Sequence, residues 1–519
     1  MTGPEAGERV GLHQIGRDSG IVLFGSVLDK LFGFFFAVGI AKLYGLRVFG
    51  LFLLGLSICE LGSSILNPVF GNGIIRYVSL YREDRAKLKG IIWTAALLSV
   101  SLALVVAVIL FLAAEPLVRH FFSNKHRLVV ILQSIAFTLP LSAATAVWAR
   151  VLMGLKNFRA QVLIRNLIEP GSKVVMALVL YLLGLKLGGL IWAYLVSVIL
   201  TAATAYYFFR KTVDDRLRGV RPVLQFRELI GYCWPLLLRN LVAKGSRRAD
   251  ILLLGAFRSA MEVALYGFAQ RLATINTLIT NAFQNAYTPH IPELHAEGRK
   301  EELRHYFQSV TRWMMMLSVP LFAMLIFFPQ VAIPVLGDQF LPAATAVTII
   351  SASVFLNYAV GPSETAIMMA GWSRTVLMIR MMSGAITLAL NIVLVPRYGL
   401  VGAALALVAT ALMSNSISAT VAYRRLGVHP MSIGYVKTLA AGLCGAVAGL
   451  LALPWLPQNK YGLLISLGMI VVVAYGACLT SLGFEAEDRT MFGRLWTRVR
   501  DYRAAFWERF GNARAVSGD

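Results

Sequence analysis

Charge is scarce in this 519-residue chain, and acid scarcer still: charged residues make up 14% of it, with 26 Asp and Glu against 49 Lys and Arg. Soluble globular domains carry about 25% charged residues. So little charge, beside 58% hydrophobic residues and a mean hydropathy of +0.69, excludes a soluble chain of this length. The four cysteines, Cys59, Cys233, Cys444 and Cys478, all lie in apolar stretches without close spacing, which argues against a disulfide framework or a metal site. The seven histidines are scattered, and no HxxxH or CxxC pattern occurs. A GxxxxGK[ST] nucleotide loop, a DxD pair for a metal-bound nucleotide sugar and the Lys-x6-Arg-Pro run of a lipid phosphatase are missing too, so no catalytic residue is assigned.

What the chain has instead is long apolar runs. A bilayer crossing needs roughly 20 mainly apolar residues. Such stretches, bounded by charge clusters, fall at 20–42, 48–74, 89–113, 128–152, 161–184, 188–209, 229–256, 262–288, 306–328, 342–370, 375–396, 400–422, 433–455 and 461–483, termed spans 1 to 14 in chain order. They predict an all-α polytopic membrane protein with about fourteen transmembrane helices. The first run has no small-residue cleavage site and reads as a span, not a signal peptide; no prenylation box or retention signal is expected at the other end.

Lys and Arg are in roughly three-fold excess on the side of the bilayer that holds the N-terminus. Arg82, Arg85, Lys87, Lys89, Arg210, Lys211, Arg216, Arg218, Arg221 and Arg227 lie there, while Lys42, Arg47, Lys125 and Lys460 lie opposite. The positive-inside rule therefore places both termini in the cytoplasm. This bias explains most of the net charge of +23 as topology, and no nucleic-acid partner is expected.

The longest polar connection, 211–228, divides the first twelve spans into two six-span halves, 20–210 and 229–423, after an N-terminal segment, 1–19, and before spans 13 and 14 at 433–483. Tyr44-Gly-Leu-Arg-Val-Phe-Gly-Leu-Phe before span 2 is weakly similar to Arg258-Ser-Ala-Met-Glu-Val-Ala-Leu-Tyr before span 8, the pattern of a parallel repeat. In the tail, 484–519, about 100° per residue puts Phe492, Trp496, Val499, Phe506, Trp507 and Phe510 on one helical face. The tail reads as an amphipathic helix in the cytoplasmic interface, or as one docked on cytoplasmic loops of the same chain.

Ionisable groups at bilayer depth cost at least ~2.5 to 3.5 kcal/mol each on insertion scales, and they face a bundle interior or a wet cavity. Span 1 carries Asp29 and Lys30, span 2 carries Glu60 and closes at Arg76, span 5 carries Arg165, Glu169 and Lys173, and span 10 carries Glu364. Span 7 is the most heavily charged: Arg239, Lys244, Arg247, Arg248 and Asp250 share about half of the helix circumference. Span 8 adds Arg271 and a polar run through Asn276, Asn281, Gln284 and Asn285.

The pattern predicts a wet, cationic cavity for an anionic ligand, with phosphate or pyrophosphate favoured because guanidinium forks match its oxygens. The candidate anion ligands are Arg239, Lys244, Arg247, Arg248, Arg271, Lys30 and Arg76, and the candidate sugar-facing groups are Asn240, Gln284 and Asn285. Two plainer readings stay open: span 7 breaks, so that 244–248 form a loop, and Glu169 merely pairs with Arg165 or Lys173 one turn away. With no machinery for hydrolysis and no cofactor expected, transport would draw on H+ or Na+ gradients or on the membrane potential, at ~2.3 kcal/mol per charge per 100 mV. Asp250, then Asp29 and Glu60, are the carboxylates that a coupling ion would use.

Gly50-Leu-Phe, Gly73-Ile-Ile-Arg76-Tyr, Trp234-Pro235-Leu-Leu-Leu, Asp250-Ile-Leu-Leu-Leu-Gly and Ala264-Leu-Tyr-Gly-Phe-Ala-Gln-Arg271-Leu are short motifs at the ends of spans 2, 7 and 8. Together they resemble the polysaccharide transporter (oligosaccharide flippase) branch of the multidrug/oligosaccharidyl-lipid/polysaccharide (MOP) flippase superfamily, over spans 1 to 12. In span number the chain is similar to lipid II flippases. The resemblance implies two six-helix lobes around a central cavity lined by spans 1, 2, 7 and 8, and alternating access. It also implies a polyprenyl-pyrophosphate-linked glycan as cargo, flipped across the bacterial inner membrane for lipopolysaccharide or exopolysaccharide assembly. Membrane lipids and polysaccharide synthesis or polymerisation proteins are the implied partners. Rival readings are an ion-coupled multidrug antiporter of the same superfamily, which would favour an acidic cavity, a lipid II flippase, a membrane enzyme acting on lipid-linked sugars, and a scaffold recruiting synthesis enzymes.

Overall fold

The computed structural model describes residues 4–63, 67–122, 125–288, 290–485 and 488; the side chains of 4–23, 63, 67–72, 214–216, 232, 234–247, 281, 282, 285 and 286 lie outside the description. Every regular element among the described residues is a helix. Lipid offers the backbone no hydrogen bonds, so a crossing segment must satisfy its own, and the helix does so within one segment.

Span 1 is the C-terminal part of α1 (Pro4–Leu43), and span 2 is built from α2 (Leu46–Ser63) and α3 (Asn67–Leu80). Spans 3 and 4 are α4 (Arg85–Phe121) and α5 (His126–Gly154). Span 5 runs through α6 (Phe158–Val162), a π-helical turn (Leu163–Ile168) and α7 (Glu169–Leu182); span 6 is α8 (Leu187–Leu217). Span 7 is α9 (Phe226–Phe257), and span 8 is α10 (Ala260–Ala273), a 3-10 turn (Thr274–Asn276) and α11 (Thr277–Tyr287). The short α12 (His290–Ala296) leads into α13 (Lys300–Phe327), which is span 9. After α14 (Pro329–Leu336) and a 3-10 segment (Asp338–Ala343), α15 (Ala344–Ala359) and α16 (Ser363–Met369) make span 10. Spans 11 and 12 both lie in α17 (Ser373–Leu426), and spans 13 and 14 are α18 (Ile433–Ala452) and α19 (Lys460–Leu482). The alternative of a break in span 7 does not hold, because 244–248 lie inside α9.

Nine described segments are long and apolar enough to cross a membrane by length and composition. One of them, α17, is two helices meeting at Gly399, whose φ of 57° and ψ of −133° are non-helical. The carbonyls left open by this break are taken up by Arg258, which donates to Pro396 O at 2.7 Å and Arg397 O at 3.0 Å. The Glu262 carboxylate accepts from Leu400 N at 3.2 Å and so caps the second helix. Spans 2, 5, 7 and 8 fall outside the nine. Span 2 is split between two helices, spans 5 and 8 are interrupted by π and 3-10 turns, and span 7 carries the cations. All fourteen predicted stretches are thus helical, which is consistent with the fourteen-span reading, and the protein is an all-α, multi-pass membrane protein.

The chain divides into two compact units, the first comprising Met1–Leu278, Leu336–Val354 and Arg374–Ser414, the second Ile279–Val335, Phe355–Ser373 and Asn415–Asp519. In the first, Ile74, Val78, Leu88, Ile91, Val147 and Val151 join α3, α4 and α5 in one apolar cluster. Large apolar side chains on its outer surface, among them Leu112 and Phe137, are exposed as lipid-facing groups are. Gly50 lets α2 pass directly over the start of α10, where a Cβ would overlap the Ala260 carbonyl. Gly50→Ala is expected to cost about 1–3 kcal/mol through overpacking and to lower the unfolding midpoint in detergent; an unchanged midpoint would show that the two backbones do not meet.

In the second unit, Ala323, Phe328, Ala446, Leu467 and Val471 pack α13 against the α18–α19 hairpin. Beside this core sits Arg312, 2% exposed, whose Nε donates to Asp488 Oδ1 at 2.9 Å and whose Nη1 donates to Glu485. Trp313 Nε1 also donates to Asp488 Oδ1, at 2.9 Å, and Gly434 N to Glu485 Oε1, at 2.8 Å. A buried charge is tolerated only when paired and hydrogen-bonded, so the chain after span 14 is tied to α13.

Candidate substrate site

The first unit gathers charged side chains from four helices. On α9, Arg248 donates from Nε to Glu60 Oε2 of α2 at 2.8 Å, with Nη2 on the same oxygen at 2.7 Å. On α10, Arg271 reaches between α1 and α2, donating to Gly33 O at 3.1 Å and lying 5.7 Å from the centre of the Phe49 ring. Arg271 lies within electrostatic range of both Arg248 and Glu60. Lys30 of α1 donates to the Thr277 hydroxyl at the start of α11. The structure therefore brings together Glu60, Arg248 and Arg271, whereas the charged neighbour of Lys30 is Asp29.

Asp250 is placed differently. Its carboxylate, 3% exposed, accepts from Tyr266 OH at 2.7 Å, Gln270 Nε2 at 2.6 Å and Ile251 N at 2.7 Å. The carboxylate on Arg248 is thus Glu60, 188 residues away in the chain. Arg76 is exposed at the end of α3, over the Tyr77 ring at 5.9 Å. Asp29 lies within electrostatic range of Lys30 and of Arg165, Glu169 and Lys173 on span 5. Glu169 pairs with both of its neighbours, Arg165 at 3.3 Å and Lys173 at 3.0 Å, as the one-turn spacing allows.

These pairs sit where span 5 is irregular. Pro170 cannot donate a backbone hydrogen bond, the turn before it widens, and Glu169 N bonds Ile164 O five residues back. The hydroxyls of Ser172 and Ser197 donate to Glu169 O at 3.3 and 3.1 Å.

The backbones of Arg239, Asn240, Lys244 and Arg247 lie on α9, and that of Asn285 on α11, while their side chains are outside the described residues. Gln284 is half-buried on the part of α11 that belongs to the second unit. Sequence reasoning passed over Tyr266, Gln270 and Thr277. Their only signal was polarity in an apolar run, which does not name a partner.

Such a pair of guanidinium groups can bind an anion with several acceptor oxygens. The sequence pattern of the family described as polysaccharide biosynthesis protein matches residues 49–345, more than half of the chain and most of the elements that form this group. The chain belongs to that family.

This polysaccharide biosynthesis protein is 24% identical over 161 residues to the probable low-salt glycan biosynthesis flippase Agl15 of Haloferax volcanii. That match covers 30% of the chain and spans only about a third, 34%, of the relative's length. Among solved structures, the fold is similar to the lipid II flippase MurJ in an inward closed conformation, with a TM-score of 0.67 at 14% identity over 89% of this chain and 97% of that one. It is also similar to an inward-facing multidrug resistance MATE family transporter of the MOP superfamily, with a TM-score of 0.61 at 15% identity over 78% and 94% of the two chains. Identities this low speak for the fold alone. By family the chain is a polysaccharide biosynthesis protein, and its fold is like those of the lipid II flippase and the MATE family transporter.

Proposed function

We propose that the protein flips a lipid-linked oligosaccharide, held by its phosphate or pyrophosphate, across the bacterial cytoplasmic membrane by alternating access, with both termini cytoplasmic and the two six-span halves as the moving parts. The observation that carries this reading is the pair of guanidinium groups, Arg248 and Arg271, on adjacent helices within electrostatic range of each other, with Glu60 as the carboxylate of the same group. Like charges so placed repel, and a multivalent anion between them removes the repulsion. The glycan flippase among the relatives supports a glycan as the rest of the cargo.

The Arg248–Glu60 pair is also exchangeable. Its side chains are 34% and 49% exposed, and pairs that open to solvent contribute about 0–1 kcal/mol, so a pyrophosphate can displace Glu60. A proton or sodium ion on Glu60 frees Arg248 for cargo; loss of that ion restores the pair and expels the anion. Asp29, beside the span 5 carboxylate and cations, is a second place for a coupling ion, whereas Asp250 is already held by three donors. Arg239, Lys244 and Arg247 extend the anion site along α9, and Asn240 meets sugar.

The test is translocation of a short polyprenyl-pyrophosphate-oligosaccharide by purified protein in proteoliposomes, under an imposed potential and an imposed pH or sodium gradient. Gradient-dependent movement of the glycan to the far leaflet is expected. Folded protein that moves cationic drugs but no glycan would instead establish the antiporter reading.

A further inference from the structure

Hydrogen bonds join the two six-span halves at two levels. Near mid-span, Lys30 donates to the Thr277 hydroxyl, Arg248 to Glu60 and Arg271 to Gly33 O. The other level lies at the span ends opposite the N-terminus, where the charge bias places Lys42 and Lys125. There Lys125, on the turn between spans 3 and 4, donates to Gly255 O at 2.7 Å and Arg258 O at 3.2 Å, at the C-terminus of α9. Gln339, just before span 10, donates from Nε2 to Ala41 O near the end of α1, at 3.0 Å.

The outer contacts differ in kind from the Arg248–Glu60 pair. The last carbonyls of a helix have no partner within it and form the negative end of its dipole, so α9 offers Lys125 a seat that needs no carboxylate. Lys125 is half-buried, and among the described residues it hydrogen-bonds carbonyls alone. Water at the membrane surface can take over such acceptors, which makes the contact breakable. Between the two levels α2 lies tightly on α10: Leu53, 5% exposed, packs on Gly267, where a Cβ would overlap it.

We propose that Lys125 and Gln339 form an outward latch, holding the span ends opposite the N-terminus together in this conformation and letting go when the path to that side opens. The latch rests on the alternating-access reading. Cargo phosphate that displaces Glu60 from Arg248 removes a tie at mid-span, and the outer contacts remain. Their strength then governs how readily opening follows binding. The make-up of the first unit agrees, because beside spans 1 to 6 it takes in residues 336–354 and 374–414, which carry the outer ends of spans 10, 11 and 12.

The test reads accessibility and needs no cargo. The chain has Cys59, Cys233, Cys444 and Cys478 replaced by alanine, and a membrane-impermeant maleimide is applied to vesicles from the side opposite the N-terminus. Leu53→Cys is expected to label at least several-fold faster once Lys125→Met and Gln339→Leu are added. Leu190→Cys, 0% exposed at the outer end of α8 within the first half, is expected to keep its rate. An unchanged rate at Leu53→Cys overturns the proposal, and so does an equal rise at Leu190→Cys, which would show loosened packing in place of an opened path. A second variant leaves Lys125 in place: Lys42→Cys with Gln339→Cys, bridged by a short reducible thiol reagent, is expected to stop glycan translocation and to regain it on reduction. Translocation by fully bridged protein overturns the latch. Protein that moves no glycan even before bridging speaks against the glycan reading, and labelling then decides the latch alone.

Discussion

Replacing Arg248 and Arg271 together by glutamine is expected to slow glycan translocation by about two to four orders of magnitude, in protein that remains monodisperse. A hydrogen bond to a charged group is worth about 1.5–3 kcal/mol net; losing two removes about 3–6 kcal/mol, and each 1.4 kcal/mol is a factor of ten. Arg248 gives the cleaner single variant, because its described partner is Glu60, half-exposed, which regains water when the guanidinium goes. Arg271 is tied to Gly33 O and the Phe49 ring, so Arg271→Gln also loosens the contact of α10 with α1 and α2. Arg248→Lys is expected to recover part of the rate, since a point charge binds phosphate but lacks the two-pronged geometry. Full translocation by a folded Arg248→Gln/Arg271→Gln protein, measured in the same vesicles, would remove the cationic site from the mechanism.

The largest effect on stability is expected at Arg312. Arg312→Met strands Asp488, 2% exposed, and Glu485 without their guanidinium, and breaking a buried pair by removing one partner costs about 3–5 kcal/mol. Yield and the unfolding midpoint in detergent are expected to fall sharply. The triple variant Arg312→Met/Glu485→Gln/Asp488→Asn is expected to recover much of the loss, because it leaves no unpaired buried charge. Equal midpoints for the single variant and the unmutated protein would show that Arg312 is not buried with these acids.

Local features were legible in the sequence and distant pairings were not. Spans 11 and 12 were separable because Pro396, Arg397 and Gly399 interrupt an apolar run, although one helical label covers both. The two partners of Glu169 were readable from the one-turn spacing of helical neighbours. The π turn before Pro170 was signalled by that proline, but hydropathy averages over such a turn. Pairing of Arg248 with Glu60 was not legible: any of several carboxylates would neutralise that guanidinium, and tertiary packing alone selects Glu60. Arg312 drew no notice at all, standing alone in a run that hydropathy reads as ordinary. Its acids, Glu485 and Asp488, lie beyond span 14, on a segment whose composition showed only amphipathicity.

The charge on α9 also constrains how the protein is made. Five ionisable residues in one crossing, Arg239, Lys244, Arg247, Arg248 and Asp250, carry an insertion penalty of roughly 15 kcal/mol at about 3 kcal/mol each near the membrane centre, against about 0.5 kcal/mol gained per leucine or isoleucine. The segment cannot leave the translocon for lipid alone. It must wait beside helices already inserted, and Glu60 on α2 is in the bilayer long before α9 is translated. The Arg248–Glu60 contact is then also a foothold during biogenesis, so Glu60 variants should be scored for membrane insertion as well as for transport.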